Sequence, residues 1–108
     1  MQKLGNFNPT NLVEALNALT TASHPDGIET FSSTLEAELY KYIPSLGKTI
    51  STEWKLGMKS HIDVYFRNQG IDNPSHVIQI IILAFHRKLN NEPCSIETVK
   101  KDITNLFK

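Results

Sequence analysis

The chain has one cysteine, Cys94, among its 108 residues. An internal disulfide is excluded, nothing implies an oxidising compartment, and the cytoplasm is the expected location. Charge of one sign is missing too, since eleven lysines and arginines face eleven aspartates and glutamates. A balanced chain has no global field to hold a polyanion or an anionic membrane. Long hydrophobic runs are also absent: Val77–Phe85 is about half the roughly 20 residues a membrane-spanning helix needs. The amino terminus lacks the apolar core of a secretory signal, so no membrane partner is expected. No glycine- or serine-rich linker, repeat or low-complexity tract divides the chain. With 40% hydrophobic residues it has enough apolar matter for one core, and a single helical domain over residues 1–108 is the expectation.

What the sequence does contain is a segment from Pro74 to Leu89 that is apolar almost all round. At 100° per residue its only wide polar gap falls at Gln79, His86 and Asn90. Such a helix must be surrounded, either by other helices of the chain or by a second subunit in a homodimer. Its isoleucines also suit a buried strand, but the proline at its start and the length through Leu89 favour a helix. Asn73 supplies the cap.

Four further helices follow from period and punctuation. The first spans about Thr10 to Thr20, with Leu12, Val13, Leu16 and Leu19 on one face after the start signal Asn8-Pro9. A second begins at an Asp26/Glu29 or Ser33/Glu36 capping box. It carries Phe31, Leu35, Leu39, Tyr42 and Ile43 and ends at Pro44. Ser45-Leu46-Gly47 is a short connection to a third helix from about Thr49 to Asn68. Its stripe is Ile50, Trp54, Met58, His61, Ile62 and Tyr65, with Gly57 beside it for a close neighbour and Gly70 past its end. Ser95 caps the last helix, with Ile96, Val99, Ile103, Leu106 and Phe107. The fold class is therefore all-α, a compact bundle of about five helices with a central, almost fully apolar fourth helix.

Candidate chemistry is sparse. Cys94 precedes a helix start, where the macrodipole favours a thiolate, but His24, His61, His76 and His86 are distant in sequence. A small enzyme using Cys94 or a histidine is the weakest of three readings. His61 and Asp63 lie roughly 200° apart on a helix, and no histidine or carboxylate spacing suits a metal. His61 falls within an apolar stripe and reads as a core histidine. Glu29, Ser33 and Glu36 read as a solvated face rather than paired catalytic acids. No phosphate loop or serine elbow is present, so no catalytic residue, cofactor or metal is expected.

Charge is unevenly spread: residues 1–54 hold three lysines against six acids, and residues 55–108 eight basic residues against five acids. The segment Ser95–Ile103 resembles the recognition helices of winged helix-turn-helix repressors, a small hydroxyl residue capping a helix with consecutive lysines. The resemblance spans nine residues and implies phosphate contacts from Lys100 and Lys101. With Arg87, Lys88 and Lys108 these form the basic set for a nucleic-acid-binding regulator. Trp54 and Tyr65, mixed with Lys55, Lys59 and Arg67, suit core packing, a protein interface or a stacking platform, in that order. The favoured expectation is a small non-catalytic interaction or regulatory protein that binds a protein partner through helix faces. Trp54, Tyr65, Leu106 and Phe107 are its candidate contacts.

Overall fold

In the computed structural model, residues 4–107 are described, and every regular element among them is helical. The helices are α1 (Leu12–Ala22), α2 (Pro25–Ser33), α3 (Lys48–Glu53), α4 (His61–Asn68), α5 (Pro74–Leu89) and α6 (Ile96–Leu106). A 3-10 turn at Leu4–Asn6 precedes them. A 3-10 segment (Glu36–Tyr42) and a π turn (Ile43–Gly47) connect α2 to α3. The class is all-α, and α5 lies at its centre. It packs against α1, α2, α3, α6 and both irregular segments, which together bury Val77 and every residue from Ile80 to Arg87. The chain thus covers its own apolar helix, and no second copy is needed for that burial.

The bounds of α5 are those its sequence predicts, because its signals are local. Pro74 begins it, and the Asn73 side chain accepts from the Ser75 N–H at 2.9 Å. Its polar gap differs from expectation. Gln79 is half-buried and Asn90 exposed, but His86 and Arg87 are buried. The α6 start is equally local, with Ser95 accepting from the Thr98 N–H. Helix α1 starts two residues late, because Asn11 rather than Asn8-Pro9 caps it by accepting from the Glu14 N–H at 2.8 Å. His24, not Asp26 or Ser33, caps α2 through Nδ1, which accepts the Asp26 N–H at 3.2 Å.

The expected second and third helices are each broken. Thr34 and Leu35 are extended, leaving Leu35 72% exposed while Phe31 and Leu39 are buried. A continuous helix would put all three on one face. The break is compensated from α5: His86 Nε2 donates to the Thr34 carbonyl at 2.6 Å, and Arg87 takes Glu36. Pro44 ends nothing. It sits at the start of the π turn, where its missing N–H is harmless, and the chain runs directly into α3.

The other break is a loop from Trp54 to Ser60. Lys55, Gly57 and Lys59 all have positive φ there, at 51°, 85° and 59°. It lets Trp54 and Leu56 both be buried, although two residues apart on a helix would face them about 200° apart. Asp63 holds the loop by accepting the Met58 N–H at 3.0 Å, and Ser60 caps α4. Met58 and His61 are consequently exposed, not core residues, and Phe66, outside the expected stripe, is completely buried. Gly57 serves the backbone turn: a Cβ there would meet only Pro74, at an ordinary 3.6 Å.

Candidate functional site

The break at Thr34–Leu35, together with the turn at Ser23, creates a concave surface. Ser23 is extended at the end of α1, and Pro25 restarts the chain at once as α2. The kink at Thr34–Leu35 and the π turn then bring Tyr42, Ser45, Leu46 and Thr49 to face α2. Between these walls lies a cavity of about 410 Å³, within the size range of small-molecule and anchor pockets. Leu4, Leu19, Ala22 and Phe85 complete the apolar lining, and Ser23, His24, Tyr42, Ser45 and Thr49 contribute the polar groups.

Phe31 organises this groove. It is 4% exposed, stacks on Phe85 with ring centroids 5.2 Å apart, and meets Tyr42 edge-on at 4.8 Å. Tyr42 Oη shares a 3.3 Å hydrogen bond with Thr34 Oγ1. His86 touches Phe31 edge-on at 5.6 Å, and its Nδ1 is buried without a hydrogen-bond partner among the described residues. Since a carbonyl only accepts, the 2.6 Å bond to Thr34 places a proton on His86 Nε2. His24, Gly27, Ile28 and Phe31 form one face of α2 toward the groove. Gly27 lacks an internal steric reason to be glycine: nothing lies within 4 Å of a Cβ built there.

Other depressions accompany it. One of about 520 Å³ lies between α5 and α6, where Asp72, His76, Gln79, Lys100, Thr104 and Phe107 surround Ile80 and Ile103. Two of about 350 Å³ flank Tyr65, one toward His61 and Val64 and one toward Leu12, Val13 and Cys94.

The candidate contacts are scattered among these features. Trp54 is a core residue, which corrects its reading as an interface or stacking group. It is 4% exposed, and its indole N–H donates to the Leu4 carbonyl at 3.0 Å. Tyr65 is half-buried and edge-on to Phe66. Leu106 and Phe107 are half-buried against the core edge. Arg87 is withdrawn from the basic set because it is buried and committed. Its Nε and Nη2 reach Glu36 at 2.9 and 3.1 Å, and Nη2 reaches Asp102 at 2.8 Å. The Glu36 hydrogen bond, with Asp102 adding to it against desolvation, makes the guanidinium even more basic than usual. Glu36 therefore belongs to an internal ion pair, not a solvated face.

Lys88, Lys100 and Lys101 are exposed, and Lys108 lies outside the described residues. Cys94 is half-buried against the core. The four histidines are dispersed: His24 at the groove, His61 bonded to Asn8 at 3.1 Å, His76 beside the larger cavity and His86 in the core. Among the described residues no three histidine, cysteine or carboxylate side chains gather as a metal set, and no helix is long and apolar enough to cross a membrane.

An all-α architecture with a solvent-reaching apolar groove defines the class. The chain belongs to the family described as a domain of unknown function, DUF6794, whose model matches residues 8–89. The match begins just ahead of α1 and ends with α5, so it includes every groove residue except Leu4. Comparisons with curated proteins and with solved structures each gave no match. The groove residues Gly27, Ile28, Phe31 and Leu46 escape sequence reading because a one-face stripe assigns Phe31 to the core, Leu46 falls in a connection, and Gly27 and Ile28 lie between the two competing starts of the second helix. The one legible signal is a glycine in the first turn of a helix.

Proposed function

We propose that the chain is a non-catalytic interaction module that binds a protein partner through the groove between α2 and the Tyr42–Thr49 segment. The observation carrying this reading is the apolar concavity of about 410 Å³, with polar groups only at intervals around it. Apolar side chains of a partner gain by leaving water there, at roughly 25 cal/mol per Å² buried. The test is selection of displayed random peptides on the folded chain, followed by binding to an Ile28→Glu variant of unchanged thermal stability. Peptides that lose binding to the variant support the groove; peptides that bind both proteins alike refute it.

A second reading, nucleic-acid binding through the last two helices, is favoured by the exposure of Lys88, Lys100 and Lys101. Three phosphate contacts would give a slope of log affinity against log salt of about −2.7 for duplex DNA. A measured slope near zero removes that reading.

A further inference from the structure

We propose that the groove's occupant is a basic amphipathic helix of the partner protein, its apolar face on the half-buried Ile28 and Leu46 and its lysines or arginines at the rim. This rests on the reading of the groove as a protein-binding site. Gly27 supplies the first argument. It leaves the α2 backbone bare on the groove wall, with open space where any other residue would carry Cβ. A glycine of this kind is a place for close backbone approach, and here nothing inside the chain makes that approach. The second argument is the character of the walls. They are helices and helical turns, and the described residues include no strand edge onto which an extended peptide could add.

Charge supplies the third. Every lining residue but Phe85 comes from residues 4–49, within the acidic half of the chain. Arg87 offsets Glu36 and Lys41 offsets Glu38 there, so the excess resides on Glu14, Asp26, Glu29 and Glu53. Glu53 lies one helical turn beyond Thr49 and against Gly5, the neighbour of the lining residue Leu4. Asp26 adjoins the wall through His24, its carboxylate 3.8 Å from the Nδ1 of that lining residue, and Glu29 acts through the field. Lys48, next to Thr49, is a cation adjoining this wall, and it leaves the balance negative among the described residues.

The test uses fluorescence anisotropy with three labelled probes: a leucine/lysine amphipathic helical peptide, the same peptide with glutamate for lysine, and the lysine peptide interrupted by proline. The whole chain should bind the first at least about tenfold tighter than either of the others. Gly27→Leu projects a side chain into open space, so folding survives while affinity for the first probe falls about tenfold or more. Glu53→Gln weakens the same probe about threefold at low salt, and the difference shrinks as salt rises. If the glutamate or proline peptide binds equally well and remains sensitive to Gly27→Leu, the basic helix is overturned and the groove survives. If none of the probes binds, the basic helix is likewise overturned. Binding that ignores Gly27→Leu overturns both.

Discussion

Replacing Arg87 with methionine is the most demanding test of how α5 is tied to the rest of the fold. The side chain is 11% exposed and joins three elements, α5, the Glu36–Tyr42 segment and α6, through a two-pronged bond to Glu36 and a single bond to Asp102. Removing one partner of a fully buried pair costs about 3–5 kcal/mol, mainly because the survivor is stranded. Here the survivors reach water, since the Glu36 side chain is 28% and Asp102 43% exposed. The expected loss for Arg87→Met is therefore lower, about 2 kcal/mol, with methionine retaining most of the aliphatic packing. At an m-value of roughly 1–2 kcal/mol/M this moves the urea midpoint down by about 1–2 M. The single tryptophan, buried Trp54, reports the transition by fluorescence. A double-mutant cycle with Glu36→Gln should return a coupling of about 1–2 kcal/mol, and one with Asp102→Asn less than about 1 kcal/mol. Arg87→Lys should recover little, because an ammonium cannot make the two-pronged bond. A loss below about 0.5 kcal/mol, or a stronger coupling to Asp102 than to Glu36, would refute the reasoning.

Three further outcomes are expected. Trp54→Phe keeps a ring in the core but removes one of two donors to the Leu4 carbonyl, which still accepts from the Phe7 N–H at 3.0 Å, so urea titration followed by circular dichroism should show a loss of about 0.5–1.5 kcal/mol. Gly27→Ala meets nothing within 4 Å, so it should stabilise the free chain by about 0.5–1 kcal/mol, measured as a rise in thermal midpoint. The Thr10 backbone N–H, then its hydroxyl, lower the Glu14 pKa below the ordinary carboxylate value. This stabilisation is complete above that ordinary value and is lost as pH falls through the depressed one, so carboxyl titration by NMR should place the Glu14 midpoint low and the stabilities of wild type and Glu14→Gln should converge in acid.

Legibility in the sequence followed the range of the interactions. The ends of α5 and the start of α6 are set by neighbours in the chain, Asn73 with Pro74 and Ser95 with Thr98, and a reader of the sequence can find them. The two breaks depend on residues far away. Thr34 leaves helical geometry where His86, 52 positions on, donates a hydrogen bond to its carbonyl, and Glu36 turns toward Arg87, 51 positions on. The stripe Phe31, Leu35, Leu39 is fully consistent with a helix, so periodicity could not reveal that Leu35 is expelled. The Trp54–Ser60 loop hides in the same way, since two of its three positive-φ residues are lysines, which carry no turn signal.

The same difference in range explains why the basic set and the interface set were only partly legible. Arg87 and Lys88 are adjacent and alike in sequence, yet 100° of helix rotation puts one against Glu36 and the other in solvent. Trp54 looks like a recognition residue by type, but the carbonyl that accepts its N–H is 50 residues away. The groove lies one step further off. It exists because the chain breaks at Ser23 and again at Thr34–Leu35, and part of its wall, Ser23–Gly27 and Ser45–Leu46, comes from segments that read as turns or connections, so no local pattern marks it. Gly27 is the exception: its lack of a side chain weakens α2 and relieves no clash within the chain. A cost without an internal return is what a surface shaped for an external occupant would leave in a sequence, and the contrast between Gly27→Ala stability and Gly27→Leu binding measures both sides of that exchange.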